Sequence, residues 1–164
     1  MPVLLYRIDE RLLHGQVLVG WGARLKLRHY LVVDDDLARS GWEQELYAAG
    51  VPEGAEAGFT STGAAPGRVE ALAARPEAGA VLTRGTAAMR ALAEEGLLEG
   101  ARVNVGGLHE AAGRRRALEY VYLGPEEMED LEAIAARSLS VSARDLPESR
   151  TVPLERLLHA ARHA

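Results

Sequence analysis

Residues 2–8 read PVLLYRI, 9–15 DERLLHG, 16–28 QVLVGWGARLKLR and 29–33 HYLVV, and this run decides the fold. The first and last pieces are short apolar runs of strand length. Between them Val17, Leu18, Trp21 and Leu25 recur at helical spacing, which predicts a helix starting just after His14. Strand, polar loop, helix and strand in this order make a βαβ unit, whose two strands lie parallel.

The pattern repeats outward. Asp34-Asp35-Asp36 closes the second strand and can cap a helix over 37–49 that carries Leu37, Trp42, Leu46 and Tyr47. A strand is expected near 55–60, a helix over 66–75 with Pro66 in its first turn, a strand over 79–83 (GAVLT) and a helix over 86–95. Then come strands at 101–105 (ARVNV) and 117–123 (ALEYVYL), a helix over 125–137, a strand at 139–144 and a closing helix over 152–162. Alternation of this kind implies an α/β fold: a single-domain three-layer sandwich over residues 1–164, its central sheet mostly parallel, with helices on both faces and room for an antiparallel edge strand.

Composition narrows the function. Hydrophobic residues make up 48% and charged residues 26% of the 164, the balance of a soluble globular chain. No apolar run approaches a membrane span, and Tyr6, Arg7 and Asp9 interrupt the start too early for a signal peptide, so a cytoplasmic protein is expected. The absence of cysteine excludes disulfides, thiolate catalysis and Cys-based zinc sites, and a net charge of −5 argues against nucleic acid as a partner. Lys26, the only lysine, stands between two leucines, so there is no P-loop; nor does a GxGxxG turn follow the first strand.

In open sheets of this class ligands gather at the carboxyl ends of the strands. Three loops qualify: Asp9–Gly15, Arg84–Thr86 and Gly106–His109. The first is chemically densest. A neutral imidazole at His14 is a nucleophile near neutral pH. Arg11 can fork onto two phosphate oxygens. Gly15 lets a ligand approach the backbone, and the free N–H groups of the following helix, from Gln16 on, favour an anion. These parts suit phosphoryl transfer, whose transition state spreads charge over three oxygens; a His–Gly ahead of a helix is also a common capped turn. Thr83 and Thr86 can donate to phosphate or serve as strand end and cap. Asp34–Asp36 reads better as a cap and solvated turn than as a metal site. His159 and His163, four apart, lack a third ligand; His109 follows Gly107 closely enough to reach the mouth of the site, and Arg114–Arg116 is an exposed turn or a docking surface.

The stretch RIDERLLHGQV (7–17) with Trp21 resembles the signature of the IIB components of mannose/fructose/sorbose-type sugar phosphotransferase systems. HYLVVDD (29–35) is similar to that family's second strand and its acidic end, and NVGG (104–107, preceded by Val103) to its loop beside the active site. The likeness covers nearly the whole chain. It departs at Glu10 and Leu13, where the usual residues are Asp and Ile, and at Arg84-Gly85, where many members carry Asn-Pro.

The resemblance implies a phosphotransferase that takes a phosphoryl group from a IIA phosphohistidine onto His14 and gives it to a sugar entering through IIC/IID membrane components. It implies Arg11 as the phosphoryl-holding arginine and a loop aspartate at Asp9, which can orient the imidazole or bond loop amides; the candidate phosphate-binding set is Asp9, Gly15, Gln16 and Thr83. No metal and no cofactor are implied. The protein would be cytoplasmic, peripherally associated with the permease, and a homo-oligomer is compatible. The competing reading is a regulatory or binding module of the same fold that transfers nothing to sugar.

Overall fold

The computed structural model describes residues 3–164. Among these residues nine strands and six α-helices follow in the order β1 (Val3–Ile8), α1 (Gly22–Leu25), β2 (His29–Val33), α2 (Gly41–Ala48), β3 (Glu56–Thr60), α3 (Ala65–Ala73), β4 (Gly79–Thr83), α4 (Thr86–Glu94), β5 (Arg102–Val105), β6 (Arg115–Leu118), β7 (Val121–Leu123), α5 (Pro125–Ala136), β8 (Ser140–Ala143), β9 (Val152–Pro153) and α6 (Leu154–Arg162). Seven strands form one sheet in the order β3-β2-β4-β1-β5-β8-β9. Every neighbour pair is parallel except β8–β9, so the expected antiparallel edge strand is β9.

Alternation along the strands feeds two cores. Leu31, Val33 and Val81 point to one face, under Val69 of α3, Met89 and Leu92 of α4, Leu131 and Ile134 of α5 and Leu157 of α6. Tyr30, Val32, Ala80 and Leu82 point to the other, against Leu12, Leu13, Val17, Leu18 and Trp21. Strands buried on both faces read as continuous apolar runs, which is why HYLVV and GAVLT carry no polar alternation.

The chain passes from β1 to β2 by one face and from β4 across to β5 by the other, although β1 lies between β4 and β5. That reversal opens a crevice at the carboxyl end of β1, the position where this architecture takes ligands.

Three local expectations change. The helix predicted over 16–28 is a π-helical turn, Gln16–Trp21, running into α1 and ending at Lys26 in the left-handed region (φ 55°). A Cβ at Gly22 would collide with the Tyr30 hydroxyl, so this segment lies unusually close to β2. The 37–49 helix divides into a 3-10 turn, Leu37–Arg39, and α2. Leu37 is buried and Tyr47 half-buried, but Trp42 and Leu46 are 71% and 67% exposed, so their i,i+4 stripe faces away from the core. The single strand expected over 117–123 is the β6–β7 hairpin, reversing at Glu119–Tyr120, in a separate two-stranded antiparallel sheet. The Leu108 amide donates to Tyr120 O and the Tyr122 amide to Leu108 O, which ties the hairpin to the loop after β5.

Candidate functional site

The loop that follows β1 is folded around one carboxylate. Asp9 is 1% exposed. Its Oδ1 accepts the Arg11 amide at 3.0 Å and Arg11 Nε at 3.1 Å; its Oδ2 accepts Arg7 Nη2 at 3.0 Å and Arg11 Nη2 at 3.1 Å, and lies 3.3 Å from His14 Nε2. Burial raises the Asp9 pKa, but the hydrogen bonds from His14 and Arg11, the charge of Arg7 and the Arg11 amide outweigh it and hold the carboxyl well below the ordinary carboxylate range. In the tautomer that donates Nε2–H to this carboxylate, Nδ1 keeps its lone pair and faces away from Asp9.

Leu12 makes this turn possible. It is fully buried in the left-handed region (φ 52°), a conformation that costs a non-glycine residue roughly 1 kcal/mol. Its amide bonds to Asp9 O at 3.0 Å and its side chain fills the core, which offsets that cost. The result brings His14 back over Asp9 at the start of the helical segment.

Arg7 lies beneath. Its side chain is wholly buried; Nη1 donates to Asn104 Oδ1 and to Arg144 O (2.9 Å), and Nη2 also donates to Asp145 O at 3.2 Å. Its guanidinium sits 5.5 Å from the Trp21 ring centroid, and Trp21 Nε1 donates to Asp145 O at 3.0 Å. Gly106 and Gly107 close the other wall. A Cβ at Gly106 would lie 2.5 Å from Arg7 Cζ and from Asp9 Oδ2, whereas one at Gly107 would meet Asp9 and Arg11 at 3.2–3.3 Å. The Asn-Val-Gly-Gly stretch is therefore there to let the arginine–aspartate pair in.

The expected site residues fall into two groups. His14, Arg11 and Gln16 share the mouth: Arg11 Nη2 also donates to Gln16 Oε1 at 2.8 Å, and Gln16 Nε2 reaches Asp145 Oδ2 at 3.4 Å. Among the described residues Arg11 Nη1 has no hydrogen-bond partner, and the side chain is 35% exposed. Gly15 borders open space with an ordinary helical φ of −51°, so it leaves room without being demanded by the backbone. Two residues expected to touch phosphate are instead inward. Asp9 has both oxygens engaged and is a like charge to phosphate. Thr83 is fully buried with its hydroxyl donated to Gly85 O at 2.9 Å. Thr86 likewise donates to Asp130 Oδ2.

Around the rim, Glu10 accepts from Arg114 Nη1 at 2.5 Å and faces His109 Nδ1 at 3.3 Å. Asp34 Oδ2 accepts the Leu37 amide at 2.9 Å, Asp35 takes the amide and hydroxyl of Thr62, and Asp36 pairs with Arg39, so the aspartate run is a cap and a set of turn contacts. Sequence reasoning quoted Arg7 and Asn104 within their motifs without giving either a role, and did not pick out Arg144 or Asp145. The available signal was Arg7 itself: a charge inside an apolar strand requires buried partners.

A pH effect follows from Asp9. Its pKa is depressed in the folded state, so its contribution to stability is complete above the unfolded value of about 3.9 and is lost as pH falls through and below it. The thermal midpoints of wild type and Asp9→Asn are expected to lie well apart at neutral pH and to converge as pH falls from about 5 towards 2. A constant gap across a pH series of thermal melts would mean that Asp9 is not held ionised.

The fold and site define a class: a doubly wound α/β protein presenting one half-buried histidine, held by a buried carboxylate–arginine cluster, at its switch point. Comparison narrows this. The family model described as "PTS system sorbose subfamily IIB component" matches residues 3–164. The N-acetylgalactosamine-specific phosphotransferase enzyme IIB component 1 of Escherichia coli (strain K12) is 31% identical over 152 residues, covering 88% of this chain and 91% of that one. The fructose-specific EIIB component of Bacillus subtilis (strain 168) is 23% identical over 158 residues, 96% of each. The crystal structure of the IIBSor domain of the sorbose permease from Klebsiella pneumoniae shares the fold, with a TM-score of 0.86 at 21% identity over 97% of this chain and 98% of that one.

The chain belongs to the sorbose-subfamily IIB components of the sugar phosphotransferase system. It is a phosphocarrier of sugar uptake, a phosphotransferase of the EC 2.7.1 class. Membership implies a IIA partner, IIC/IID partners and a sugar substrate. No helix among the described residues is long and apolar enough to cross a membrane.

Proposed function

We propose that His14 is the residue that carries the phosphoryl group, within a IIB domain formed by residues 1–164. Nδ1 of the neutral imidazole attacks the phosphorus of a phosphohistidine on IIA in line; the donor's P–N bond breaks as the new one forms. The group then passes to a hydroxyl of a sugar of the mannose/fructose/sorbose class held by IIC/IID, the protein working at the cytoplasmic face on the permease. The observation that carries this reading is the 3.3 Å contact between His14 Nε2 and Asp9, which leaves Nδ1 as the nucleophilic nitrogen.

Arg11 is suited to hold the equatorial oxygens, since Nη1 is free among the described residues while Nε and Nη2 fix the plane of the guanidinium on Asp9. The Leu18 amide is already taken up by His14 O at 2.9 Å, so any backbone donors at the start of this segment come from Gln16 and Val17. Asp9 serves from behind, as the holder of His14 and Arg11.

The test is intact-mass analysis after incubation with phosphoenolpyruvate, Enzyme I, HPr and a matching IIA. One acid-labile phosphoryl group is expected, mapped to His14 by fragmentation, with Nδ1 identified by phosphorus–nitrogen NMR coupling. A folded chain that stays unmodified beside a demonstrably phosphorylated IIA, or a group mapped elsewhere, would sink the assignment.

A further inference from the structure

The His14 reading leaves a question beneath it: what keeps the Asp9 carboxylate aimed at Nε2? We infer that Arg7 is a positioning residue for phosphoryl transfer, locking Asp9 so that His14 is held in one tautomer, and that Asn104 and the Arg144–Asp145 carbonyls after β8 are the anchor of that lock. This rests on His14 as the carrier.

The geometry supports a device rather than a packing accident. Arg7 Nη2 meets the same Asp9 oxygen that faces His14, shared with the partly exposed Arg11, so Arg7 is the buried contact that fixes that oxygen's position from beneath. The guanidinium itself is pinned by acceptors from distant parts of the chain: Asn104 Oδ1 on β5, and the carbonyls of Arg144 and Asp145. Trp21 ties the same carbonyl of Asp145 to the helical segment that begins beside His14. Gly106 is bare where a side chain would displace the pair. A buried ion pair is weak support for stability by itself, since apolar replacement of both partners is often neutral or stabilising. This one touches the carboxylate behind the proposed nucleophile. With Asp9 free to swing towards Arg11 alone, the imidazole loses its fixed acceptor and Nδ1–H becomes a competing tautomer, in which the attacking nitrogen is blocked by its own proton.

The measurement is the 15N shift pattern of His14 at a pH where it is neutral, in wild type, Arg7→Lys and Asn104→Ala, alongside the rate of phosphoryl acceptance from IIA. Wild type is expected to show the Nε2–H tautomer alone. Arg7→Lys keeps the charge but cannot reach the carboxylate and the carbonyls together; a mixed tautomer and a loss of acceptance of at least about tenfold are expected. Asn104→Ala removes one anchor and leaves Asp9 its own contacts, so it gives a smaller change in the same direction and keeps the test open should Arg7→Lys not fold. A single Nε2–H tautomer in every folded variant overturns the inference, and so does a tautomer shift with unchanged acceptance. Failure of the His14 assignment itself would look different: phosphoryl would persist on His14→Ala whatever the tautomer.

Discussion

His14→Ala is expected to accept no phosphoryl group at all while losing no more than about 1 kcal/mol of stability. Loss of loading and near-normal stability have separate physical origins. Among the described residues the imidazole makes one hydrogen-bonding contact, at 3.3 Å to Asp9, and its removal leaves Asp9 with Arg7 and Arg11 as partners. A single net hydrogen bond at a partly exposed position contributes about 1 kcal/mol. The covalent step has no substitute nucleophile nearby: Gln16 is an amide, Arg11 a permanent cation, and His109 is engaged with Glu10 at the rim. Arg11→Ala is the informative companion, because it should keep the carrier but slow its loading by about a hundredfold to a thousandfold, the scale of removing one donor to a developing oxyanion. Arg11→Lys should recover only part of that, since an ammonium cannot hold Asp9 in two places and still face a ligand. Rapid-quench loading from phosphorylated IIA, paired with thermal melts, checks both. Full loading of His14→Ala would move the carrier elsewhere, with His109 the next residue to replace.

Most of the layout was legible because the sheet is buried on both sides. Runs such as HYLVV and GAVLT leave no doubt about strand, and their boundaries agree with β2 and β4. The loop that follows β1 could likewise be found from its density of polar side chains at a strand end. What the pattern could not show is direction. Asp9 and Thr83 are polar and sit at strand ends, so both were candidates for the phosphate; Asp9 is instead turned inward by Arg7, whose own acceptors, Asn104 and the Arg144 and Asp145 carbonyls, lie about a hundred residues or more away, and Thr83 by the nearby Gly85 carbonyl. Trp42 and Leu46 erred in the opposite sense, since helical spacing marks a stripe without saying which element it meets. The β6–β7 hairpin was hidden by the apolar content of ALEYVYL, in which Glu119 is the one charged residue, and the reversal there is enforced by Leu108 bonding across it.

Gly106→Ala is expected to destabilise the fold by about 2–4 kcal/mol and to weaken phosphoryl acceptance with it. The added Cβ would stand 2.5 Å from both Arg7 Cζ and Asp9 Oδ2, and neither can step aside. Arg7 is gripped by Asn104 and two carbonyls, Asp9 by three side chains, and the Gly106 amide itself is committed to Ile8 O at 2.7 Å. Relief requires either a shift of the strand end or rupture of the buried ion pair, and breaking one side of such a pair costs several kcal/mol because the remaining charge stays unpaired. Gly107→Ala supplies the control one residue along. There the nearest atoms lie at 3.2 Å and include Arg11, whose side chain is partly exposed and can yield by a few tenths of an ångström, so a cost of under about 1 kcal/mol is expected. Paired urea unfolding curves decide the matter. Equal losses at the two glycines would mean that the arginine–aspartate cluster is softer than its buried contacts imply, and a harmless Gly106→Ala would mean that the wall of the site is not set by close approach.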